Sequence, residues 1–372
     1  MNRRLPRRVI KVGTSLLRGT PDRSTAAVIT DLAASVARAQ KSGERMALVT
    51  SGAVGLGCVA LGLSSRPQEL TQLQAASAVG QGRLMALYQE AFHIRGLTVA
   101  QVLITRADIA SRRNYRRACL TLEQLLDWNV VPIINENDTL ATDELRFGDN
   151  DTLSALLAVA IGAEELVLLT DVDRLYSSDP RTDAEAVPIA EVSDPAHLER
   201  LEKGAGGGGQ WGTGGMTTKL TAARIATSSG IRVRLADGRD PAVLEALLAG
   251  EPVGTVFQPS ATPLTDRKGW LAHALVPSGS LVVDGGAEQA LLHQGASLLA
   301  VGIKAVHGTF DRCSPVRVLS QEGREIGRGL CRWSSEDVRA MVGLGREEIR
   351  RRLGEEGGAV IHRDHLVLVA RG

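Results

Sequence analysis

The stretch Val131-Pro-Ile-Ile-Asn-Glu-Asn-Asp-Thr-Leu-Ala-Thr-Asp-Glu-Leu-Arg-Phe-Gly-Asp-Asn-Asp151 decides the fold, because an apolar strand pattern passes there into an acidic, amide-rich loop. An apolar helix pattern follows at once, over residues 153–161. Between residues 135 and 151, six carboxylates stand against one cation, Arg146, so the loop repels itself unless a positive group lies nearby. An ammonium group, a metal or lysines from elsewhere in the chain are the candidates.

Two pieces of this loop, Asn135-Glu-Asn-Asp138 and Gly148-Asp-Asn-Asp151, pair carboxylates with carboxamides. Together these groups can accept from an amino group and donate to a carboxylate, which predicts a site for a zwitterion. The alternative is helix capping by Asp149 or Asn150, with Asp151 complementing the helix dipole. Capping leaves the first piece unexplained.

Apolar strand patterns alternate with helix patterns on both sides of this loop. The strands are predicted at residues 9–12, 46–49, 98–104, 130–134, 165–170 and 231–236. The helices are predicted at 24–41, in stretches from the second strand to about Arg95, at 111–128, from the acidic loop to Ile161, and at 217–229. Such alternation predicts an α/β fold, a mainly parallel open sheet with helices on both faces. Ligands of such sheets bind beyond the carboxyl ends of the strands.

Polar or glycine-rich motifs follow four of these strands. They are Lys11-Val-Gly-Thr-Ser15, Thr50-Ser-Gly-Ala53, Asn135-Glu-Asn-Asp138 and Thr170-Asp171. We expect them to converge on one edge of the sheet.

The composition changes near residue 257, which predicts two domains. We expect a catalytic domain over 1–257, a proline-containing linker over 258–276 and a small β-rich domain over 277–372. Its predicted elements are strands at 281–283, 303–306 and 316–319 and short helices near Glu336 and Glu347.

The segment Gly212-Thr-Gly-Gly-Met-Thr-Thr-Lys219 opens a predicted helix and has the features of a phosphate site. Glycines let backbone N–H groups approach an anion, and the helix start and Lys219 add positive charge. It does not have the spacing of a Walker A loop. A flexible surface loop is the alternative, and we take Lys219 itself for a surface residue.

A second lysine, Lys11, stands inside an apolar strand pattern. A buried lysine needs a carboxylate or phosphate partner, whereas on an edge strand it would face solvent. Two lysines with carboxylates near a glycine-rich loop favour phosphoryl transfer, where positioning and charge neutralisation supply most of the catalysis.

Composition excludes several classes of protein. Forty-three basic and 42 acidic residues leave no overall field to attract nucleic acid or a membrane. The longest apolar run is too short to span a bilayer, and four scattered cysteines without an opening signal peptide indicate a soluble protein of the cytoplasm. No cluster with the spacing of a zinc site is present, so no metal bound directly by the protein is expected.

Taken in order, eight motifs make residues 8–256 resemble the amino-acid kinase family. They are Val9-Ile-Lys-Val-Gly-Thr-Ser15, Val49-Thr-Ser-Gly-Ala53, Leu103-Ile-Thr-Arg-Ala-Asp108, Val131-Pro-Ile-Ile-Asn-Glu-Asn-Asp138, Gly148-Asp-Asn-Asp151, Leu168-Leu-Thr-Asp171, Asp179-Pro-Arg181 and the stretch ending at Lys219. Residues 277–370 more loosely resemble a PUA domain.

The resemblance implies an amino-acid kinase-like sandwich and ATP-dependent phosphorylation of the L-glutamate side-chain carboxylate to L-glutamyl 5-phosphate, the first step of proline biosynthesis. It implies that Lys11 and Lys219 neutralise the transferring group and that Asp151 orients them. The implied ATP-binding residues are Lys11, Thr170, Asp171, Thr213, Gly214, Gly215, Met216, Thr217, Thr218 and Lys219, with Mg²⁺ held through the ATP phosphates. The implied glutamate-binding residues are Ser51, Asp138 and Asn150, with Asn135 and Asp149 as helpers.

Further partners also follow from the resemblance. Proline is expected as a feedback inhibitor that competes near the acidic loop. The chain is also expected to form a homo-oligomer, and the next enzyme of the pathway is a candidate protein partner. The run Gly206-Gly-Gly-Gly-Gln-Trp211 is more glycine-rich than the family pattern. The resemblance therefore does not predict the local contacts of the nucleotide loop.

Three alternatives remain. The substrate could be aspartate, acetylglutamate, carbamate or UMP. The C-terminal domain could bind RNA, although residues 271–372 carry 13 basic and 12 acidic side chains with only Phe310 and Trp333 as aromatics, so a structural or regulatory role is expected. Finally, Gly55-Leu-Gly-Cys-Val-Ala60 matches a dinucleotide-binding fingerprint and would suit an oxidoreductase.

Overall fold

The computed structural model describes residues 5–19, 23–140, 150–181, 183–206, 215–264, 277–353 and 359–368. The chain divides into two compact units, Met1–Leu264 and Thr265–Gly372. Within the described ranges, no helix combines the length and the apolar character that crossing a membrane requires.

An eight-stranded sheet forms the centre of the first unit, in the order β3-β4-β2-β1-β5-β9-β10-β8. Its strands are β1 (Arg7–Val12), β2 (Arg45–Val49), β3 (Val99–Ile104), β4 (Val131–Glu136), β5 (Glu165–Thr170), β8 (Glu191–Val192), β9 (Arg232–Asp237) and β10 (Thr255–Phe257). The strands from β3 to β9 are parallel, and β10 runs antiparallel to β9. A small hairpin, β6 (Leu175–Tyr176) with β7 (Pro188–Ile189), lies outside this sheet. The mainly parallel sheet is confirmed.

Ten helices are described in this unit. They are α1 (Thr14–Leu17), α2 (Thr25–Lys41), α3 (Ala53–Ala60), α4 (Leu70–His93), α5 (Arg106–Ala110), α6 (Arg112–Asp127), α7 (Asn150–Ala160), α8 (Pro195–Gly206), α9 (Gly215–Ser228) and α10 (Pro241–Leu248). Side chains of β1 alternate between two apolar layers, because successive residues of a strand point to opposite faces. Ile10 and Val12 join the core formed with α2, α4 and α10, while α7 and α9 pack together and contact β1, β5 and β9. Helices therefore cover both faces, as predicted.

Helices α3 and α4 contact each other through their backbones at two glycines. A Cβ atom added at Gly57 would lie 1.7 Å from the carbonyl oxygen of Ala76, and one added at Gly80 would lie 1.7 Å from that of Ala53. No side chain fits at either position unless the helices separate.

We expect Gly80→Ala to lower the free energy of unfolding by about 1–3 kcal/mol or more, because the added methyl group overpacks this contact. The matched control is Gly82→Ala on the same helix, where an added Cβ meets nothing within 4 Å. That control should hold or raise stability, since alanine favours helix over glycine. Urea unfolding compares the variants, and equal midpoints for both would contradict the packing argument.

A five-stranded mixed sheet forms the second unit, in the order β12-β11-β13-β14-β15. Its elements are β11 (Gly279–Val283), α11 (Gly285–Gln294), β12 (Ile303–Gly308), β13 (Pro315–Leu319), β14 (Glu325–Leu330), α12 (Ser335–Met341), α13 (Arg346–Leu353) and β15 (Leu366–Leu368). Buried Leu281, Val316, Ile326 and Trp333 belong to its separate apolar core. The β-rich second fold is confirmed, and α11, β14 and β15 add to the predicted elements.

Candidate functional site

The ends of two strands, β2 and β4, meet at one side chain, that of Asn150, the first residue of α7. Its Nδ2 donates to the Thr50 carbonyl oxygen at 2.5 Å, to Ser51 Oγ at 2.9 Å and to Asn135 Oδ1 at 2.8 Å. Thr50 and Ser51 follow β2, and Asn135 lies near the end of β4. We call Ser51, Asn135 and Asn150 the amide cluster. It brings two of the four predicted motifs, those that follow β2 and β4, together at the carboxyl edge of the sheet.

Glycine at position 52 allows the turn that presents Ser51. Its φ is +96°, a left-handed conformation that side chains rarely adopt. Gly52 is the N-cap residue of α3, so the chain turns from β2 directly into that helix. The Gly55 and Gly57 pair of the rival dinucleotide motif lies inside α3 and not at the strand-to-helix turn.

The next residue, Asp151, is held between two lysines. Its Oδ1 lies 2.5 Å from Lys11 Nζ, and its Oδ2 lies 3.2 Å from Lys219 Nζ. Thr218 Oγ1 also donates to Oδ2, at 3.0 Å. We call Lys11, Asp151, Thr218 and Lys219 the ammonium cluster. It brings together β1, α7 and α9, which are distant in sequence.

Burial and charge oppose each other at Asp151, whose side chain is only 1% exposed. Burial by itself raises the pKa of this carboxyl, but the ammonium groups of Lys11 and Lys219 hold the pKa below its ordinary value. The carboxylate therefore stays ionised and keeps the two ammonium groups on its two oxygens. Removal of Lys11, the closer and more deeply buried partner, would leave this buried charge poorly compensated, whereas removal of Lys219 would leave the Lys11 pair in place.

Neither lysine is a solvent-exposed surface residue. Lys11 lies on β1, between β2 and β5, and is 5% exposed, so the edge-strand alternative is wrong. Lys219 is only 13% exposed and ion-paired, so the view of it as a surface residue is wrong as well. Sequence alone could not show this, because α9 reaches Asp151 only through tertiary packing.

A row of polar side chains on α4 supports the site and was not anticipated from the sequence. Ser77 Oγ donates to Asp138 Oδ2 at 2.8 Å, and Gln81 Oε1 accepts from Asn135 Nδ2 at 2.8 Å. Tyr88 OH lies 2.9 Å from Thr50 Oγ1. We call Ser77, Gln81 and Tyr88 the α4 polar stripe. Their spacing of four and seven residues, typical of one helix face, was the available signal.

The predicted nucleotide-binding residues that the structure describes lie at the same edge of the sheet. Thr170 ends β5, and its Oγ1 donates to Asp171 Oδ1 at 3.2 Å. Helix α9 begins at Gly215, whose carbonyl oxygen accepts from Lys219 Nζ at 3.0 Å. Met216 and Thr217 belong to the same first turn. The predicted residues Asp149, Thr213 and Gly214 lie outside the described residues, as does nearly all of the run 206–211.

Comparison with known proteins agrees with this architecture. A model described as "Amino acid kinase family" matches residues 6–237, and a PUA domain model matches residues 279–353. A curated protein named Glutamate 5-kinase from Prochlorococcus marinus (strain MIT 9313) is 58% identical over 360 residues, covering 97% of this chain and 98% of the relative. A Synechococcus protein (strain CC9902) with the same name is 58% identical over 363 residues, covering 98% and 99%.

The fold is shared with a solved structure of another kinase. Carbamate kinase from Giardia lamblia bound to AMP-PNP aligns with a TM-score of 0.51 at 18% identity, covering 70% of this chain and 100% of that protein. At this identity the likeness concerns the fold alone.

Proposed function

Because the chain belongs to the amino acid kinase family, we propose that it transfers the γ-phosphoryl group of ATP to the side-chain carboxylate of L-glutamate. Two curated relatives that cover nearly the whole chain carry the name Glutamate 5-kinase. The product is L-glutamyl 5-phosphate, the activated acid that opens proline biosynthesis.

One observation carries the proposal: the amide cluster and the ammonium cluster are joined by consecutive residues, Asn150 and Asp151. The first cluster offers the amide and hydroxyl groups that suit an amino acid. The second offers two ammonium groups, which suit a phosphoryl group. An acceptor carboxylate and a phosphoryl donor bound at adjacent clusters would therefore face each other.

The chemistry needs charge neutralisation more than proton transfer. A glutamate carboxylate is ionised at neutral pH, so its oxygen can attack the γ-phosphorus directly while the bond to the ADP oxygen breaks. The attack brings two anions together, and Lys11 and Lys219 would reduce their repulsion. Asp151 would keep both ammonium groups positioned.

The remaining predicted residues would hold the two substrates. Ser51, Asn135, Asp138 and Asn150 would bind glutamate, with Asp149 as a helper, and Thr170, Asp171 and residues 213–219 would bind the nucleotide. Support comes from the hydrogen bonds that link Ser51, Asn135 and Asn150. The end of β5 at Thr170 and the start of α9 at Gly215 support the nucleotide assignment.

We propose that Mg²⁺ enters this site bound to the ATP phosphates, where it would supply further charge neutralisation. In the part of the chain that the structure describes, no group of three or more His, Cys, Asp or Glu side chains could hold a metal ion. The two ammonium groups suit phosphate oxygens and not a cation.

A trapping assay tests the function. Purified protein with ATP, Mg²⁺, glutamate and hydroxylamine should form γ-glutamyl hydroxamate, because hydroxylamine captures an acyl phosphate. Omitting ATP or glutamate supplies the control. ADP release measured with aspartate, acetylglutamate, carbamate and UMP compares the alternative acceptors. Absence of hydroxamate, or faster turnover of another acceptor, would end the proposal.

We propose a structural or regulatory role for the second unit. Phe310 and Trp333, the two aromatics expected there, are 4% and 2% exposed, so neither offers a ring face on which a base could stack. Proline inhibition, homo-oligomer formation and contact with the next pathway enzyme stay predictions. Residues 141–149, part of the acidic loop near which proline is expected to compete, lie outside the described residues.

A further inference from the structure

One hydrogen-bond donor of the α4 polar stripe has no protein partner among the described residues. Gln81 is 8% exposed, and its Nε2 atom is fully buried without a hydrogen bond. Its Oε1 accepts from Asn135 Nδ2 at 2.8 Å, so the carboxamide is held in place by its acceptor end. A buried donor without a partner is costly and needs an explanation, such as a ligand that binds there.

The position of Gln81 indicates which ligand this is. Asn135, its hydrogen-bond partner, accepts in turn from Asn150, so Gln81 is linked to the amide cluster through one residue. One turn earlier on the same face, Ser77 donates to Asp138. The carboxamide of Gln81 is therefore bonded to one of the side chains that we propose to hold glutamate, and its neighbour Ser77 is bonded to another.

The charges of glutamate supply the reason for a donor here. Its side-chain carboxylate must face the ammonium cluster to accept a phosphoryl group, and the carboxylate of Asp138 suits its ammonium group. The α-carboxylate then needs donors elsewhere. The carboxamide nitrogens of Asn135 and Asn150 already donate to neighbouring residues. Gln81 Nε2 is a buried donor that remains available.

We propose that Gln81 is a substrate-binding residue whose Nε2 donates to the α-carboxylate of glutamate. This assignment rests on the proposed function. It adds a residue of α4 to a site otherwise built from the strand ends and the helices that follow them.

Gln81→Glu separates the two ends of this side chain. The carboxylate can still accept from Asn135, but it cannot donate and repels the substrate. We expect the KM for glutamate to rise about 10-fold to 100-fold, as for loss of a hydrogen bond to a charged group, with the KM for ATP within twofold. Gln81→Met, which has a similar shape and no polar atoms, should also raise the KM for glutamate and serves if the first variant does not fold.

The matched control is Gln89→Glu, the same change at an exposed position of α4, and it should leave both KM values unchanged. A normal KM in Gln81→Glu would overturn the inference, whether or not Gln81→Met is impaired, because supporting Asn135 requires only the acceptor. A wild-type protein that forms no hydroxamate would instead refute the proposed function, so the two failures can be told apart.

Discussion

Replacing Lys219 by alanine is expected to reduce hydroxamate formation by about 10²–10³-fold or more, the usual cost of removing a donor that stabilises transition-state charge. The Lys219 ammonium group is held on Asp151 Oδ2 and on the carbonyl oxygen of Gly215, at 3.2 and 3.0 Å. The rate at saturating ATP and glutamate measures the loss.

A matched control for this experiment is Lys41→Ala. Lys41 is the last residue of α2 and is exposed. Helix α2 ends just before β2 begins, so Lys41 lies toward the amino ends of the strands, opposite the site. The control should keep full activity, whereas equal activity of Lys219→Ala would remove Lys219 from the mechanism. Lys11 still pairs with Asp151 in Lys219→Ala, so we expect that variant to stay folded.

Replacing Lys11 by methionine should abolish activity and also destabilise the protein. Lys11 and Asp151 form a 2.5 Å ion pair in which both side chains are buried, 6% and 1% exposed. Breaking a buried pair by removing one partner costs about 3–5 kcal/mol, because the remaining charge is poorly compensated. Urea unfolding of the first unit at pH 7 measures the loss, which we expect to exceed that of Lys219→Ala.

A double variant separates charge compensation from packing. Adding Asp151→Asn to Lys11→Met removes the poorly compensated charge, so much of the stability should return while activity stays absent. If Lys11→Met were as stable as wild type, or if the second substitution lowered stability further, the ion pair would not have the role described here.

The stabilisation that ionised Asp151 contributes is expected to decrease at acidic pH. Burial raises the pKa of Asp151, but the two lysines together lower it by more than burial raises it. The pKa in the folded protein therefore lies below the unfolded value of about 4. Its contribution to stability is therefore present in full above about pH 4 and is lost as pH falls through the lower folded pKa. The stability gap between wild type and Lys11→Met should narrow over the same acidic range.

Much of the first unit was predictable because its strands are buried on both faces. The prediction for 165–170 matches β5 (Glu165–Thr170), whose residues 166–169 are all apolar. In the second unit, Glu325–Leu330 reads EIGRGL and Gly285–Gln294 begins with two glycines. Glycine has low propensity for strands and helix interiors, so local pattern did not reveal these elements.

The site was predictable to the extent that it depends on topology. Motifs at the ends of parallel strands must meet, which brought Ser51, Asn135 and Lys11 to one edge. The α4 polar stripe was not predictable, because nothing local fixes which face of a 24-residue helix meets the strand ends. That choice depends on how α4 packs against α3.

The glycine contact between α3 and α4 has a consequence for redesign of the enzyme. Gly80 lies against Ala53 and directly precedes Gln81. The backbone position of Gln81 is therefore set by a contact between main-chain atoms, which substitutions of neighbouring side chains do not change. Libraries aimed at new acceptor acids can vary positions 77 and 81 while the helix stays in register. In a library that includes position 80, a change in selectivity for the acceptor could not be separated from loss of the folded structure.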